Sequence, residues 1–387
     1  MPRAHAERRA CGIQTAWTCA DTPDKAITEI AQVLDPSDIG QILVFFSQPY
    51  EAESLCAALS AKFPDVPVAG CSTSGEITSD GFSERSVLVV AFPEQGFHFV
   101  SSVIPEVKTL SVDRASEAVQ ALRARLDKPD GAHYDNLFAI SLIDGLSRCE
   151  EAIVSAIAWA LGDIPLVGGS AGDGLTLSGT SLLHDGRVYR GAALLLLVET
   201  EHPVRSFYCD HFEPTETKLV VTSSDTSTRT VYELNAEPAA LEYANSVGLE
   251  TSSLAPMSFA AHPVVVRIGG DYYCRSIQRV NDDGSLSFFC AIDDGVVLTV
   301  AEPRDMLKSM ETEMERLDEA VGGVDFVLGF ECVLRRLDAE NRQMKRKVSE
   351  LYRRYHVVGF HTYGEQYNAM HLNQTFTGVA IGRQGGA

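Results

Sequence analysis

Asp65-Val66-Pro67-Val68-Ala69-Gly70-Cys71-Ser72 returns 98 residues later as Asp163-Ile164-Pro165-Leu166-Val167-Gly168-Gly169-Ser170. The shared form, Asp-x-Pro-apolar-apolar-Gly-x-Ser, constrains the fold more than any other feature, because a repeat means one supersecondary unit used more than once. Both copies have the same approach. Ile42 to Phe46 and Leu137 to Ile143 are short apolar runs rich in β-formers. Helical spacing follows each run, over Ala52, Leu55, Ala58, Leu59 and Phe63 in one copy and over Glu151 to Leu161 in the other. The pattern predicts strand, helix, strand, glycine turn.

A third copy is expected near the C-terminus, with Phe326 to Phe330 as strand, 334–355 as one helix, and Val357 to Glu365 as second strand and turn. It matches the first copy at Val, Gly, Thr, Gly and Glu but lacks the Asp-x-Pro lead-in. Glycine turns allow close backbone approach and expose N–H groups that can hold a ligand's acceptor atoms, so several such turns suggest a shared pocket. Between the units, Ser86 to Phe92, Thr180 to Leu183, Ala192 to Glu199, Lys218 to Thr222 and Pro263 to Arg267 are strand-like. His184-Asp185-Gly186-Arg187 and Asn281-Asp282-Asp283-Gly284 carry hairpin chemistry. The expected fold class is therefore α/β, as two related lobes of mixed β-sheets with helices, built from repeated strand-helix-strand-Gly-turn units. The expected division is an N-terminal segment 1–24, an N-terminal domain 25–203 and a C-terminal domain 204–387.

Leu307, Met310, Met314, Leu317 and Val321 alternate spacings of three and four behind Pro303, a candidate helix start. The 334–355 stretch has the same spacing and is basic, with eight Lys or Arg against three acids. A solvated outer face and a docking surface for an acidic partner both fit it.

Composition narrows the function. The 387 residues carry 53 Asp and Glu against 32 Lys and Arg, a net charge of −21. Such a field repels phosphate backbones, so no nucleic-acid partner is expected. The apolar run Ala192 to Val198 is far short of the roughly 20 residues of a bilayer span, so no membrane association is expected. The N-terminus lacks the apolar core of a secretory signal. Nine scattered cysteines without a Cys-x-x-Cys fit a reducing cytoplasm better than a disulfide framework or zinc site.

Catalytic signatures are weak. Gly168-Gly169-Ser170-Ala171-Gly172 matches a nucleophile elbow, but the residues after it predict turn and strand where an elbow enters a helix. No phosphate-binding Gly-x-x-x-x-Gly-Lys motif occurs, and no His-Glu-x-x-His. No enzymatic activity is expected. Of the histidines, His211, His361 and His371 stand in distinctive contexts. A neutral imidazole in an apolar pocket could serve as an axial haem ligand, although spacing alone does not demonstrate haem.

Val68 to Ile77 (VAGCSTSGEI), Leu166 to Gly174 (LVGGSAGDG), Val358 to Gly364 (VGFHTYG) and Asn373-Gln374-Thr375 resemble the FIST family, over roughly residues 25–385. That resemblance implies N- and C-terminal FIST domains acting as small-ligand sensory modules in bacterial signalling. The Cys209 to Pro214 segment, Val231 to Ala239 and Asn368 to Gly378 further resemble the NosP branch. This implies haem b as cofactor, nitric oxide as the sensed molecule, and control of a sensor histidine kinase or a cyclic-di-GMP enzyme with effects on biofilm behaviour. Family members that need no haem resemble this chain at His371 and commonly lack a histidine at the place of His211. The candidate iron ligands are therefore His211, then His371, then His361, with Cys209 as a thiolate alternative. Tyr363, Gly364, Glu365, Asn373, Gln374 and Thr375 are the expected pocket, and a homodimer is possible. The other functional expectation is a haem-free module for a small ligand such as an amino acid, contacted by Glu76, Glu365, Asn373 and Gln374.

Overall fold

The computed structural model describes residues 4–126 and 136–383. The chain is mixed α/β, and the repeat extends to three units. The first runs through strand Gln14–Thr18, helix Pro23–Ala31, strand Gln41–Phe46, helix Ala52–Lys62 and strand Val68–Ser72. It ends with the short hairpin Glu76–Thr78 and Gly81–Ser83 and the return strand Val87–Phe92. The second repeats this order as Phe97–Ile104, Val112–Leu126, Asn136–Ile143, Glu150–Leu161, Leu166–Ser170, hairpin Leu182–His184 and Arg187–Tyr189, and Ala193–Thr200. The third begins at Val204–Cys209 and resumes at helix Met306–Ala320. It continues through Val324–Cys332, helices Val333–Asn341 and Lys345–Arg354, Val357–Thr362, hairpin Glu365–Tyr367 and Met370–Leu372, and Phe376–Gly382. The third copy is thus as complete as the other two. Between its first strand and first helix lies an inserted sheet of its own, from Phe212–Asp225 to Val297–Pro303, with helices Ala239–Ser246 and Pro256–Ala261.

Each unit gives its hairpin to another unit. Glu76–Thr78 pairs with Val357–Thr362, Glu365–Tyr367 with Leu166–Ser170, and Leu182–His184 with Val68–Ser72. Three mixed sheets result, each with the same order: edge strand, return strand, first and second strands of the parallel pair, then the exchanged hairpin. His5–Arg8, from the segment expected to precede the first domain, extends the first sheet through Gln14–Thr18.

The parallel pairs are buried on both faces, which is why they are continuously apolar in sequence. Leu43 and Phe45 face a shared centre with Phe138, Ile140, Leu142, Leu194, Leu196, Phe326, Leu328 and Phe330. Ile42, Val44 and Phe46 face the outer helices of the first unit. Aromatic rings lock the centre, with Phe45–Phe360 at 4.7 Å and Phe330–Phe360 at 5.5 Å between centroids. The apolar run from Ala192 belongs to a central strand, and among the described residues no helix is long and apolar enough to cross a membrane.

The repeated glycine has a steric cause. Opposite Gly70 stands Val44, opposite Gly168 stands Ser141, and opposite Gly359 stands Gly329, each across a parallel strand pair. A β-carbon on any of the three would run into the carbonyl oxygen of that partner.

Several expectations change. The 334–355 helix is broken: Gln343 takes φ of +56°, and the Met344 N–H turns back to the Ala339 carbonyl at 2.7 Å. The break lets Ala339 and Val348 pack into one cluster. Its basic face is smaller than expected, because Arg335 and Arg336 are buried, paired with Glu331 and Glu84. Pro303 ends a strand and does not start the following helix. Asp305 caps that helix, accepting from the Lys308 N–H at 3.1 Å. The Asp185-Gly186 hairpin forms as expected, with φ of +43° and +75°.

Gly168→Ala should cost about 3 kcal/mol through overpacking against backbone that cannot move aside. Gly179→Ala, with open space around the glycine, should stay within about 0.5 kcal/mol. Equal midpoints of urea unfolding for the two variants would refute the steric account.

Candidate functional site

The three glycine turns meet and bind one another through their backbones. The Ser74 N–H donates to the His361 carbonyl at 2.9 Å and the His361 N–H to the Gly75 carbonyl at 2.8 Å. The Ser170 N–H donates to the Gly364 carbonyl at 2.8 Å, and the Tyr363 N–H to the Ser170 carbonyl at 3.2 Å. The Gly172 N–H closes the ring on the Ser72 carbonyl at 3.0 Å. The exposed N–H groups that sequence offered to a ligand are therefore largely used within the fold.

Two turns share a carboxylate lock. In the first, Glu76 accepts from the hydroxyls of Thr73 (2.5 Å), Ser47 (2.9 Å) and Ser86. In the third, Glu365 accepts from the Thr362 hydroxyl and from the Thr375 hydroxyl and N–H at 2.8 and 3.1 Å. Burial pushes Glu76 up to about 7 and Glu365 up to about 8, against the pull of these donors. Both carboxylates are engaged by their own turns, and neither borders the two cavities described below.

The second turn uses a different acid. Burial alone would raise Asp173, but the Tyr363 hydroxyl, the Gly179 and Ser178 N–H groups and the Thr176 hydroxyl hold it at about 2. This hub fixes the 173–179 loop. A neighbouring loop is fixed by Asp144, which accepts from the Thr180 hydroxyl at 2.5 Å, the Leu146 N–H at 3.0 Å and the Gly191 N–H at 2.6 Å.

The inserted sheet covers these loops. Arg229 reaches across to the first turn of helix Glu150–Leu161, 2.5 Å from Glu150 and 2.6 Å from Glu151, and donates to the Phe289 carbonyl at 2.6 Å. Burial raises Glu150 to about 7 despite Arg229. Arg275 donates to the His371 carbonyl at 3.3 Å. Between the two bodies lies a cavity of about 270 Å³, bounded by Gly145, Leu146, Arg148 and Leu177 on one side and by Arg229, Arg279, Asn281 and Phe289 on the other. Tyr363, Leu146, Leu177 and Phe289 belong to one apolar cluster beside it.

The ranked residues sit apart from that cavity. His211 is buried with Nδ1 2.6 Å from Arg335 and Nε2 3.5 Å from Asp338, and burial lowers it to about 4. His361 is fully buried, edge-on to Phe82, with Nδ1 3.4 Å from Glu331. The His371 ring lies against the backbone of Gly364, with both nitrogens unpartnered, and burial lowers it to about 4. His211 and His361 thus meet at the buried Glu331–Arg335 pair, while His371 lies on another hairpin. Asn373 and Gln374 are buried, and three of their four side-chain polar atoms have no partner; Gln374 Nε2 donates to the Phe259 carbonyl at 3.3 Å. Ser170 receives the Gln366 amide at 2.9 Å and is followed by a loop.

A larger groove, of about 810 Å³, runs between Tyr208, Cys209, Tyr367 and the helix bearing Lys308, Glu313 and Arg316. Cys209 touches it, but burial pushes that thiol up to about 12, which disfavours a thiolate ligand. Among the described residues no three His, Cys, Asp or Glu side chains are grouped to hold a metal ion, and all nine cysteines are free.

Two family models cover this architecture, the FIST N domain at residues 41–237 and the FIST C domain at 239–368. The chain belongs to the FIST family. FIST domains are sensory domains of signalling proteins. The border between the two matches falls inside the inserted sheet, and together they take in both walls of the 270 Å³ cavity. No curated protein matches the chain. The cavity's arginines escaped sequence inspection because Arg148 and Arg229 come from separate units; their only signal was basic residues beside turns in an acidic FIST chain.

Glu365 is more readily protonated folded than unfolded, so its contribution is complete below about pH 4.5 and is lost as pH rises to about 8, by up to about 1.4 kcal/mol per pH unit. The fall in thermal midpoint between pH 5 and pH 8 should be smaller in Glu365→Gln than in the parent FIST protein. Parallel pH profiles in calorimetry would show that Glu365 is ionised throughout.

Proposed function

We propose that this FIST protein is a non-enzymatic sensor of a small organic ligand, such as an amino acid, held between the second unit and the inserted sheet. The observation that carries this is the 270 Å³ cavity, whose walls come from two bodies joined there by Arg229. A ligand bridging both walls favours the closed arrangement over an open one, and that difference in affinity is what a signal requires. The broken basic helix pair still exposes Arg342, Lys345, Arg346, Lys347, Arg353 and Arg354, a surface suited to an acidic face of a sensor histidine kinase or a cyclic-di-GMP enzyme.

The haem-based nitric oxide reading implied by the NosP resemblance is the second one. The groove beside Cys209 favours it, being large and edged by Arg304 and Lys308, which suit carboxylate tails. An axial imidazole must present a ring nitrogen to an open slot. His211 has both nitrogens against Arg335 and Asp338, and neither His361 nor His371 borders the groove. The residues as arranged do not fit a haem.

Absorption spectra separate the two. Titration of the full chain with haemin should give no saturable Soret band, and purified protein should be colourless. A stoichiometric Soret band that shifts with nitric oxide and disappears in His211→Ala, with circular dichroism unchanged, would replace the first reading by the second.

A further inference from the structure

We infer that the ligand of the 270 Å³ cavity is a small organic anion, bound through a carboxylate or phosphate head by Arg148 and Arg279. This inference rests on the sensory reading above and adds the chemical class.

The charge of the lining decides it. The chain carries 53 acidic residues against 32 basic ones, yet this cavity is lined by three arginines and no Asp or Glu. Arg148 and Arg279 stand exposed at its edges, and neither side chain has a hydrogen-bond or ion-pair partner among the described residues. Both border one concavity, so an anion seated there meets two cations that no acidic side chain already neutralises. Arg229 is different: it is buried, and its charge is already balanced by Glu150 and Glu151. It fixes the base of the cavity, leaving the other two as the uncompensated pair.

The remaining lining fits a small polar molecule with one apolar end. Gln278 offers a neutral amide and Phe289 with Leu177 offers apolar surface, while Asn281 and Ser287 hydrogen-bond each other in the wall. The planar guanidinium fork suits the paired oxygens of either anionic head. The volume admits a metabolite-sized molecule and excludes a polymer.

The test uses the full chain with succinate, L-glutamate, inorganic phosphate and glycerol 3-phosphate, and with L-glutamine and L-lysine as probes lacking net negative charge. Thermal shift and calorimetric titration should show saturable binding by at least one anion and none by L-lysine. The double variant Arg148→Gln/Arg279→Gln should weaken that binding by about tenfold or more, equivalent to about 1.4 kcal/mol. Both positions are exposed and unpaired, so its unliganded thermal midpoint should match the parent's. Preference for carboxylates or for phosphates identifies the head group. Binding of L-lysine or L-glutamine in preference to every anion would overturn the anionic class while leaving the cavity a sensor site. Anion binding of full strength in the double variant would overturn the placement. Binding by no anion would overturn the inference, and a haemin Soret band in the same sample would overturn the sensory reading beneath it.

Discussion

Three strand pairs approach so closely that one position in each has no room for a β-carbon. Gly70, Gly168 and Gly359 are those positions, and each faces a carbonyl oxygen of the neighbouring strand. The ends of the three second strands meet beyond these positions. Their turns then hydrogen-bond in a ring, and the chain leaving each turn is carried onto another unit's sheet as an exchanged hairpin. No unit completes its own sheet, so the three form one body through backbone pairing as well as through the shared aromatic centre.

A ring of buried turns brings polar backbone and acidic side chains out of water, which is costly unless every group finds a partner. Glu76 and Glu365 meet this with hydroxyl donors, and Asp173 with a set of N–H and O–H donors. Hydroxyls partner either protonation state, which suits carboxyls whose burial raises them toward neutrality. The same satisfaction removes them from ligand chemistry. The Glu76, Glu365 and Asp173 carboxylates that look like a site in sequence are internal fastenings, and one concave surface lies where the inserted sheet rests on the loops they hold.

Most of the fold was legible in the sequence. The Asp-x-Pro-apolar-apolar-Gly-x-Ser repeat marked the parallel pairs, and Asp185-Gly186 marked a hairpin. The hairpin exchange was not legible, because strands as short as Glu76–Thr78 carry no periodicity long enough to show which sheet they join. The helix break at Gln343 was also hidden: neither glycine nor proline marks it, and the heptad spacing runs straight through it. For the site, the third turn is legible in the sequence, but its following hairpin is not, and each histidine stands alone there. His211 and His361 converge on Glu331 and Arg335, a pairing made by tertiary structure alone. Arg229 meets Glu150 across 79 positions of chain, and no local pattern encodes that.

The place of the insertion explains how the 270 Å³ cavity arises on one unit of the three. The inserted sheet replaces the link between the first strand and first helix of the third unit, and that unit's exchanged hairpin lies on the second unit. The insertion is thereby carried over the second unit's loops, where Arg229 fastens to Glu150 and Glu151, and Arg275 to the hairpin itself. Coverage of those loops turns an open surface into a cavity. The fastening is an ion pair with a carboxylate that burial keeps near neutrality in its proton affinity. Such a pair gives less net stability than its short distances suggest, because desolvation offsets much of the attraction. A contact of modest strength, spanning the second unit and the inserted sheet around a small cavity, is one whose balance a small ligand can shift.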